Sequence, residues 1–296
     1  MGSILRPCSP ALAAALAAGA PLWRADLFSF TLADGVTVLN WSSWDGPLTC
    51  AGVANASQRP WIERSNWNVA NTLEVPSLAC RLVALGDGFA GGAQIKLQIH
   101  NGLFDGASFL LSRAFMTAPG DADALGAIAL FGGKVGGVDI IGTTATLTIK
   151  GKVNDLEQNV PRNLYQIGCN HAFCDAGCTL SRASFTAAFT AGAAPTPVFI
   201  PWSGSPPGNA TSYQNGTLTM TGGPASGQRR MIATADSTGL TLAYPLYQTP
   251  APGDAFTAFQ GCDKTLNSGS GQSCTDRANT LNYRGYPFVP PPNTAY

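Results

Sequence analysis

Charged side chains are scarce in this chain. Lys and Arg number 17 and Asp and Glu 17, together 11% of 296 residues, where soluble domains commonly carry about a quarter. The even balance leaves no basic excess to grip a phosphate backbone or an anionic membrane, so sequence-specific nucleic-acid binding is not expected. Histidine is scarcer still: His100 and His171 are the whole supply, which leaves a Ser-His or Cys-His nucleophile pair few candidates. No run approaches the roughly 18 apolar residues of a membrane-crossing helix, so no transmembrane segment is expected. No Gly-rich phosphate loop follows a strand pattern, and acidic residues such as Asp105 and Asp254 sit in turn sequences. These absences argue against an enzyme.

What is present reads as β structure. Gly 34, Pro 21 and 45% hydrophobic residues supply turns and enough apolar side chains for one large or two ordinary cores. A charge-poor surface suits a subunit whose flanks are covered in an assembly. Near the start, Ala11–Ala20 could pass for the apolar region of a signal peptide. Ser9-Pro10 instead supplies an N-cap and a first-turn proline, and Gly19 and Pro21 stop the run, so a short structural helix is predicted.

Strand patterns follow. Phe28, Phe30 and Leu32 alternate with Ser29 and Thr31, and Asp34-Gly35 turns into Val36–Leu39. Ile95, Leu97 and Ile99 alternate with polar residues, which predicts a strand over Gln94–His100, with His100 on its polar, surface face. Ala145–Lys150 shows the same alternation, and Asn101-Gly102, Asp105-Gly106 and Gly132-Gly133 read as turns. After a Pro-rich stretch at Pro195–Pro207, a second β unit shows strands at Thr217–Thr221, Arg229–Ala235, Leu240–Leu246 and Ala255–Gln260. Tyr213–Gly216 and Asp236–Gly239 read as its turns. Val289-Pro290-Pro291-Pro292 predicts an extended tail.

Eight cysteines are unevenly spread. Cys8, Cys50 and Cys80 are scattered, while Cys169, Cys174 and Cys178 precede the second β unit and Cys262 and Cys274 follow it. Thiols meeting there would close a loop of about eighty residues. Disulfides would need an oxidising compartment. Zinc could formally take Cys169, His171, Cys174 and Cys178, although paired tight knuckles are missing. An iron–sulfur cluster takes four thiolates at looser spacing. Spacing alone leaves these chemistries nearly level.

The segment Cys169–Phe185, CNHAFCDAGCTLSRASF, resembles a family of phage tail and gene-transfer-agent proteins. Gly261-Cys262-Asp263-Lys264-Thr265, Cys274, Arg277, Asn279 and Asn282-Tyr283-Arg284-Gly285-Tyr286-Pro287 resemble its closing signature. The helix at Pro10–Gly19, the run Gly102–Ala107, Phe131–Gly136 and Pro161-Arg162 extend the likeness essentially end to end. Members look like the baseplate hub or tail tip proteins of long-tailed phages, similar to tail tip protein L of phage lambda and the hub of gene transfer agents.

The resemblance implies a mainly β fold with two β-barrel or sandwich hub domains, a short N-terminal helix and a Cys-rich C-terminal region. Its expected divisions are 1–21 (helix), 22–160 (first β hub domain), 161–182 (first Cys motif), 183–260 (second β domain) and 261–296 (second Cys motif and tail). It implies a structural homotrimer in the virion tail, assembled in the bacterial cytoplasm, that joins the tail tube or distal tail protein to a central fibre or receptor-binding protein. It also implies a [4Fe–4S] cluster on Cys169, Cys178, Cys262 and Cys274, with a zinc-stapled binding module as the alternative and a redox or hydrolytic tail enzyme behind it. Cys174 departs from the family pattern as a possible substitute ligand. The Gly/Ser-rich insertion Asn267–Ser273 is expected to loop out without displacing Cys274. Arg182 and Lys264 are expected to offset the cluster's negative charge. Tyr283, Tyr286 and Phe288 could cover it, with plain packing the preferred reading for each, and His171 is expected to pack beside it rather than act as a base.

Overall fold

The computed structural model describes residues 6–57, 60–66, 75–83, 95–123, 125–156, 163, 165–204 and 210–289. The chain divides into two units, residues 1–158 and 159–296.

In the first unit, Ser9 caps helix α1 (Pro10–Ala17) by accepting the Leu12 N–H at 3.1 Å, and Gly19 leaves it at φ 64°. The strands are β1 (Trp23–Thr31), β2 (Val38–Ser42), β3 (Leu48–Cys50), β4 (Val53–Asn55), β5 (Trp61–Arg64), β6 (Ser77–Val83), β7 (Ser108–Met116), β8 (Ala127–Ile141) and β9 (Thr144–Gly151). Seven of them form one antiparallel sheet in the order β2-β1-β7-β8-β9-β6-β5. The sheet curls. Arg64 on the far edge strand β5 reaches Asp26 on β1 at 2.6 Å, and Arg113 on β7 holds the same carboxylate at 2.7 Å.

The predicted alternation holds along β1 and β9: Phe28, Phe30, Ala145, Leu147 and Ile149 are buried. Phe30 is the hub of an aromatic cluster, with its ring 5.5 Å from Trp41, 5.1 Å from Phe104 and 4.8 Å from Phe109. The Asp34 carboxylate accepts the Val36 and Thr37 N–H groups at 2.9 Å each, so the turn extends through Thr37 and the strand begins at Val38 rather than Val36.

Two readings of this unit are corrected. Ile95–His100 is a helix, α2, not a strand (Gln94 lies outside the described residues). Ile95 and Ile99 are the buried pair, and a spacing of four fits one helical face as well as it fits every second position of a strand. Local bonds favour the helix: Asn101 N–H donates to Leu97 O at 3.0 Å, and Gly102 at φ 85° ends the turn. Gly132-Gly133 is not a turn but lies within β8, where a Cβ on Gly133 would fall 2.2 Å from Lys150 O. Here glycine permits close strand approach.

The second unit holds β10 (Thr186–Thr190), β11 (Phe199–Pro201), β12 (Thr217–Met220), β13 (Arg229–Ala235), β14 (Gly239–Leu242) and β15 (Ala255–Phe259), in the order β10-β15-β12-β13-β14-β11. Just beyond the two edge strands, Ala191 bridges Trp202, Gly192 N–H donates to Pro201 O at 2.8 Å and Ser203 N–H donates to Thr190 O at 3.2 Å. The edges meet and the sheet closes into a small barrel, which removes exposed strand edges. Ile200, Leu218, Met220, Ile232, Leu240 and Phe256 fill it. Strand β14 ends at Leu242, short of the predicted Leu246, although Leu246 is buried. Pro161-Arg162, Pro206, Pro207 and the prolines 290–292 lie outside the described residues.

Candidate functional site

Strand pairing brings the two cysteine clusters together. Strands β10 and β15 run antiparallel with Thr186 opposite Phe259, so the start of one lies beside the end of the other. Gln260 N–H donates to Phe185 O at 2.9 Å and extends the ladder outward. The first cysteine segment enters β10 and the second leaves β15, so both emerge at the same end of the barrel. Cys169 N–H donates to Lys264 O at 2.8 Å, a direct backbone link between them.

Close packing at this junction requires glycine. A Cβ on Gly261 would fall 1.8 Å from Gln214 O, and one on Gly177 would fall within 2.0 Å of the His171 ring. His171 packs on Gly177 as expected, and its Nδ1 lies 3.5 Å from the Asp175 carboxylate. Asp175 in turn accepts the Cys178 N–H at 2.7 Å and the Ala172 N–H at 2.9 Å, which fixes the turn between the first-segment cysteines. Cys174 sits in this segment with φ 62°, in the left-handed region.

All eight cysteines are free thiols. Cys178 and Cys274 are buried, while Cys169, Cys174 and Cys262 are half-buried. Burial, reinforced by the thiols of Cys169, Cys262 and Cys178, pushes the Cys274 thiol up to about 11. Burial also raises Cys174, with Cys178 adding to it. The four cysteines that the family resemblance names are therefore electrostatic neighbours. Among the described residues, however, no three His, Cys, Asp or Glu side chains meet at the spacing of one metal ion's ligands.

The surroundings of the sulfurs suit negative charge. Arg284 N–H donates to Cys169 Sγ at 3.4 Å. The Asn279 side-chain amide donates to Cys178 O at 2.7 Å and to Cys178 Sγ at 3.5 Å. Arg277 lies over the Phe173 ring at 4.0 Å and donates through Nη2 to Gly261 O. Its other terminal nitrogen, Nη1, is buried without a hydrogen-bond partner. Burial lowers the pKa of this guanidinium, and Cys262, Cys174, the Asp263 carboxylate and Cys178 act in the opposite direction. A half-buried cation with an idle donor, near several sulfurs and the Asp263 carboxylate, is compatible with a group that makes those sulfurs anionic.

Other expected roles change in part. Lys264 Nζ bonds His171 O and so braces the junction, while Arg182 lies over the Phe259 ring at 4.0 Å and its charge also favours the Cys174 thiolate, after that of Arg277. Arg277, which the sequence placed only within a signature, is the half-buried cation beside the thiols. Tyr283 stays beside the sulfurs, since burial and then Cys169 and Cys274 raise its pKa, and it donates its hydroxyl to Ile167 O, whereas Tyr286 lies against Tyr165 at 3.8 Å with the rings tilted by 35°. Phe288 is 94% exposed and covers nothing in this unit. The insertion Asn267–Ser273 loops out at residues 267–270, which are exposed, and Cys274 stays among the other thiols as expected, but the loop is tied down. Ser268 and Ser270 hydroxyls bond Asp263, and the Gln272 amide donates to Thr211 O at 2.6 Å and Gln214 O at 3.1 Å.

Residues 9–181 match the family described as baseplate hub protein, N-terminal attachment domain. Residues 211–293 match the family described as phage conserved hypothetical protein BR0599. None of the curated proteins matches the chain at a significant level. Among solved structures, a chain from the virion of a native gene transfer agent (GTA) particle is 20% identical. It superposes with a TM-score of 0.72 over 97% of this chain and 96% of its own.

Proposed function

Since the chain belongs to the baseplate hub family, we propose that it is the hub of a phage-like tail, a homotrimer joining the tail tube or distal tail protein to a central fibre or receptor-binding protein. We further propose that Cys169, Cys178, Cys262 and Cys274 hold a [4Fe–4S] cluster of architectural rather than catalytic use. Family membership places the chain in the baseplate of a virion tail. Scarce charge supports a subunit covered by neighbours, since interface cores are depleted of charge. The apolar tips of two hairpins, Val36 at 83% and Ile141 at 81% exposure, support it too.

The observation that carries the cluster reading is the meeting of both cysteine segments at one end of a barrel, beside the idle buried Nη1 of Arg277. When bound, the cluster would supply a covalent cross-link between the two ends of the second β unit. The chain's own residues prepare that junction. Asp175 shapes the first segment, Asn279 ties Cys178 to the second, and Gly261 lets the second pass close to the barrel.

Anaerobic purification followed by visible absorption and by iron and sulfide analysis tests the reading. Four irons and four sulfides per chain, lost on substituting Cys169 or Cys262, is the expected result. Colourless protein with stoichiometric zinc would overturn the cluster while leaving the hub role standing.

A further inference from the structure

The signature Asn282–Pro287 does more than brace the cysteines. With a strand of chain upstream of Cys169 it builds a cleft of about 300 Å³ lined by Asn163, Tyr165, Asn170, Tyr283, Arg284 and Tyr286. The volume lies at the lower end of the range that small-molecule sites occupy. Backbone and side-chain bonds hold its walls. Tyr286 N–H donates to Gln166 O at 2.9 Å, the Asn170 amide donates to Arg284 O at 2.9 Å, and Tyr283 bonds Ile167 O. Glycine is required at the base, because a Cβ on Gly285 would fall 2.4 Å from Ile167 O.

The lining has a distinctive chemistry. Tyr165 and Tyr286 lie against each other with their rings tilted by 35° and are 71% and 45% exposed, so aromatic surface remains open to a ligand. Among the described residues the cleft has no acidic side chain, and its one charge is the exposed guanidinium of Arg284, which pairs with no carboxylate among them. Flat aromatic faces take the C–H face of a sugar ring, carboxamides take hydroxyls, and a free guanidinium takes a carboxylate in a two-pronged contact. A single cation is too little for a nucleic-acid strand, which needs a positive groove along its backbone.

We infer that this cleft binds a carboxylated sugar of the kind found in bacterial envelopes, with Arg284 on the carboxylate and the tyrosines against the ring. None of the cleft side chains is a proposed ligand, although the cleft adjoins the cysteine site through the Arg284 N–H bond to Cys169 Sγ. Titration calorimetry on the full chain, purified anaerobically, tests it with four probes: D-glucuronate and N-acetylmuramate, and their uncharged counterparts D-glucose and N-acetylglucosamine. At least one acidic sugar should bind about tenfold or more tighter than its counterpart. The tighter of the two tells a surface polysaccharide from the cell wall as the source. Arg284→Gln should abolish that preference, and Tyr286→Ala should weaken acidic and neutral sugars alike. Unchanged visible absorption and melting temperature would show that both variants are folded and that the cysteine site is intact. Equal binding of acidic and neutral sugars, no binding of any of the four, or tighter binding of oligothymidylate would overturn the inference.

Discussion

Replacing Cys262 by Ser removes one proposed corner of the cluster and opens the cross-link between the two ends of the second β unit. Cys178 and Cys262 bracket a loop of about 84 residues, for which the chain-entropy relation gives a contribution of about 4.5 kcal/mol. The exchange of sulfur for oxygen leaves almost no cavity, so the loss of closure dominates. Spread over a unit spanning residues 159–296, with an unfolding entropy of about 2.1 cal/mol/K per residue, that loss lowers the melting temperature by about 15 °C. Differential scanning calorimetry under argon reads the shift, and limited proteolysis should show new nicks between residues 180 and 260. A variant that melts within about 2 °C of an iron-loaded parent would refute the closure argument, because the hydrogen bonds from Cys169 to Lys264 and from Asn279 to Cys178 would then suffice alone.

Cys174→Ser should keep the chromophore and the melting temperature, and loss of colour in this variant alone would reassign the ligands. Asn279→Ala removes the amide that bonds both the carbonyl and the sulfur of Cys178, and should cost about 1–3 kcal/mol in denaturant titration. Gly261→Ala places a Cβ against the Gln214 carbonyl and should cost about 1–3 kcal/mol through backbone displacement, read by the same titration. Asp26→Ala strands Arg64 and Arg113 at a partly buried position in the first unit and should cost about 2–3 kcal/mol. Its effect should be confined to the first unit's calorimetric transition.

Much of the β architecture was legible because burial writes a period of two. Phe28 and Phe30, and Ala145 through Ile149, alternate as they do because one face of each strand is sealed. The same logic misread residues 95–100, where only the ends of the alternation are buried and a four-residue spacing serves a helix equally well. Gly132-Gly133 misled for a different reason. Glycine pairs mark turns when the backbone needs positive φ, but here Gly133 is present because Lys150 of the neighbouring strand leaves no room for a Cβ. That cause lies about seventeen residues away and has no local sign.

The cysteine site divides along the same line. That two clusters flank one β unit is visible in the chain, and β10 pairing with β15 turns that order into proximity. Which cation serves the sulfurs was not visible, because proximity in sequence favoured Arg182 and Lys264, whose side chains are taken by Phe259 and by the His171 carbonyl. Arg277 reaches the site from three residues beyond Cys274, held flat by Phe173 and by the carbonyl of Gly261. Burying a guanidinium with one nitrogen idle is costly unless an anion answers it, and the thiols nearby are resisted as thiolates by their own burial and mutual repulsion. The Asp263 carboxylate answers part of that cost, and the proposed iron–sulfur group would answer the rest by holding the sulfurs as thiolates beside Arg277.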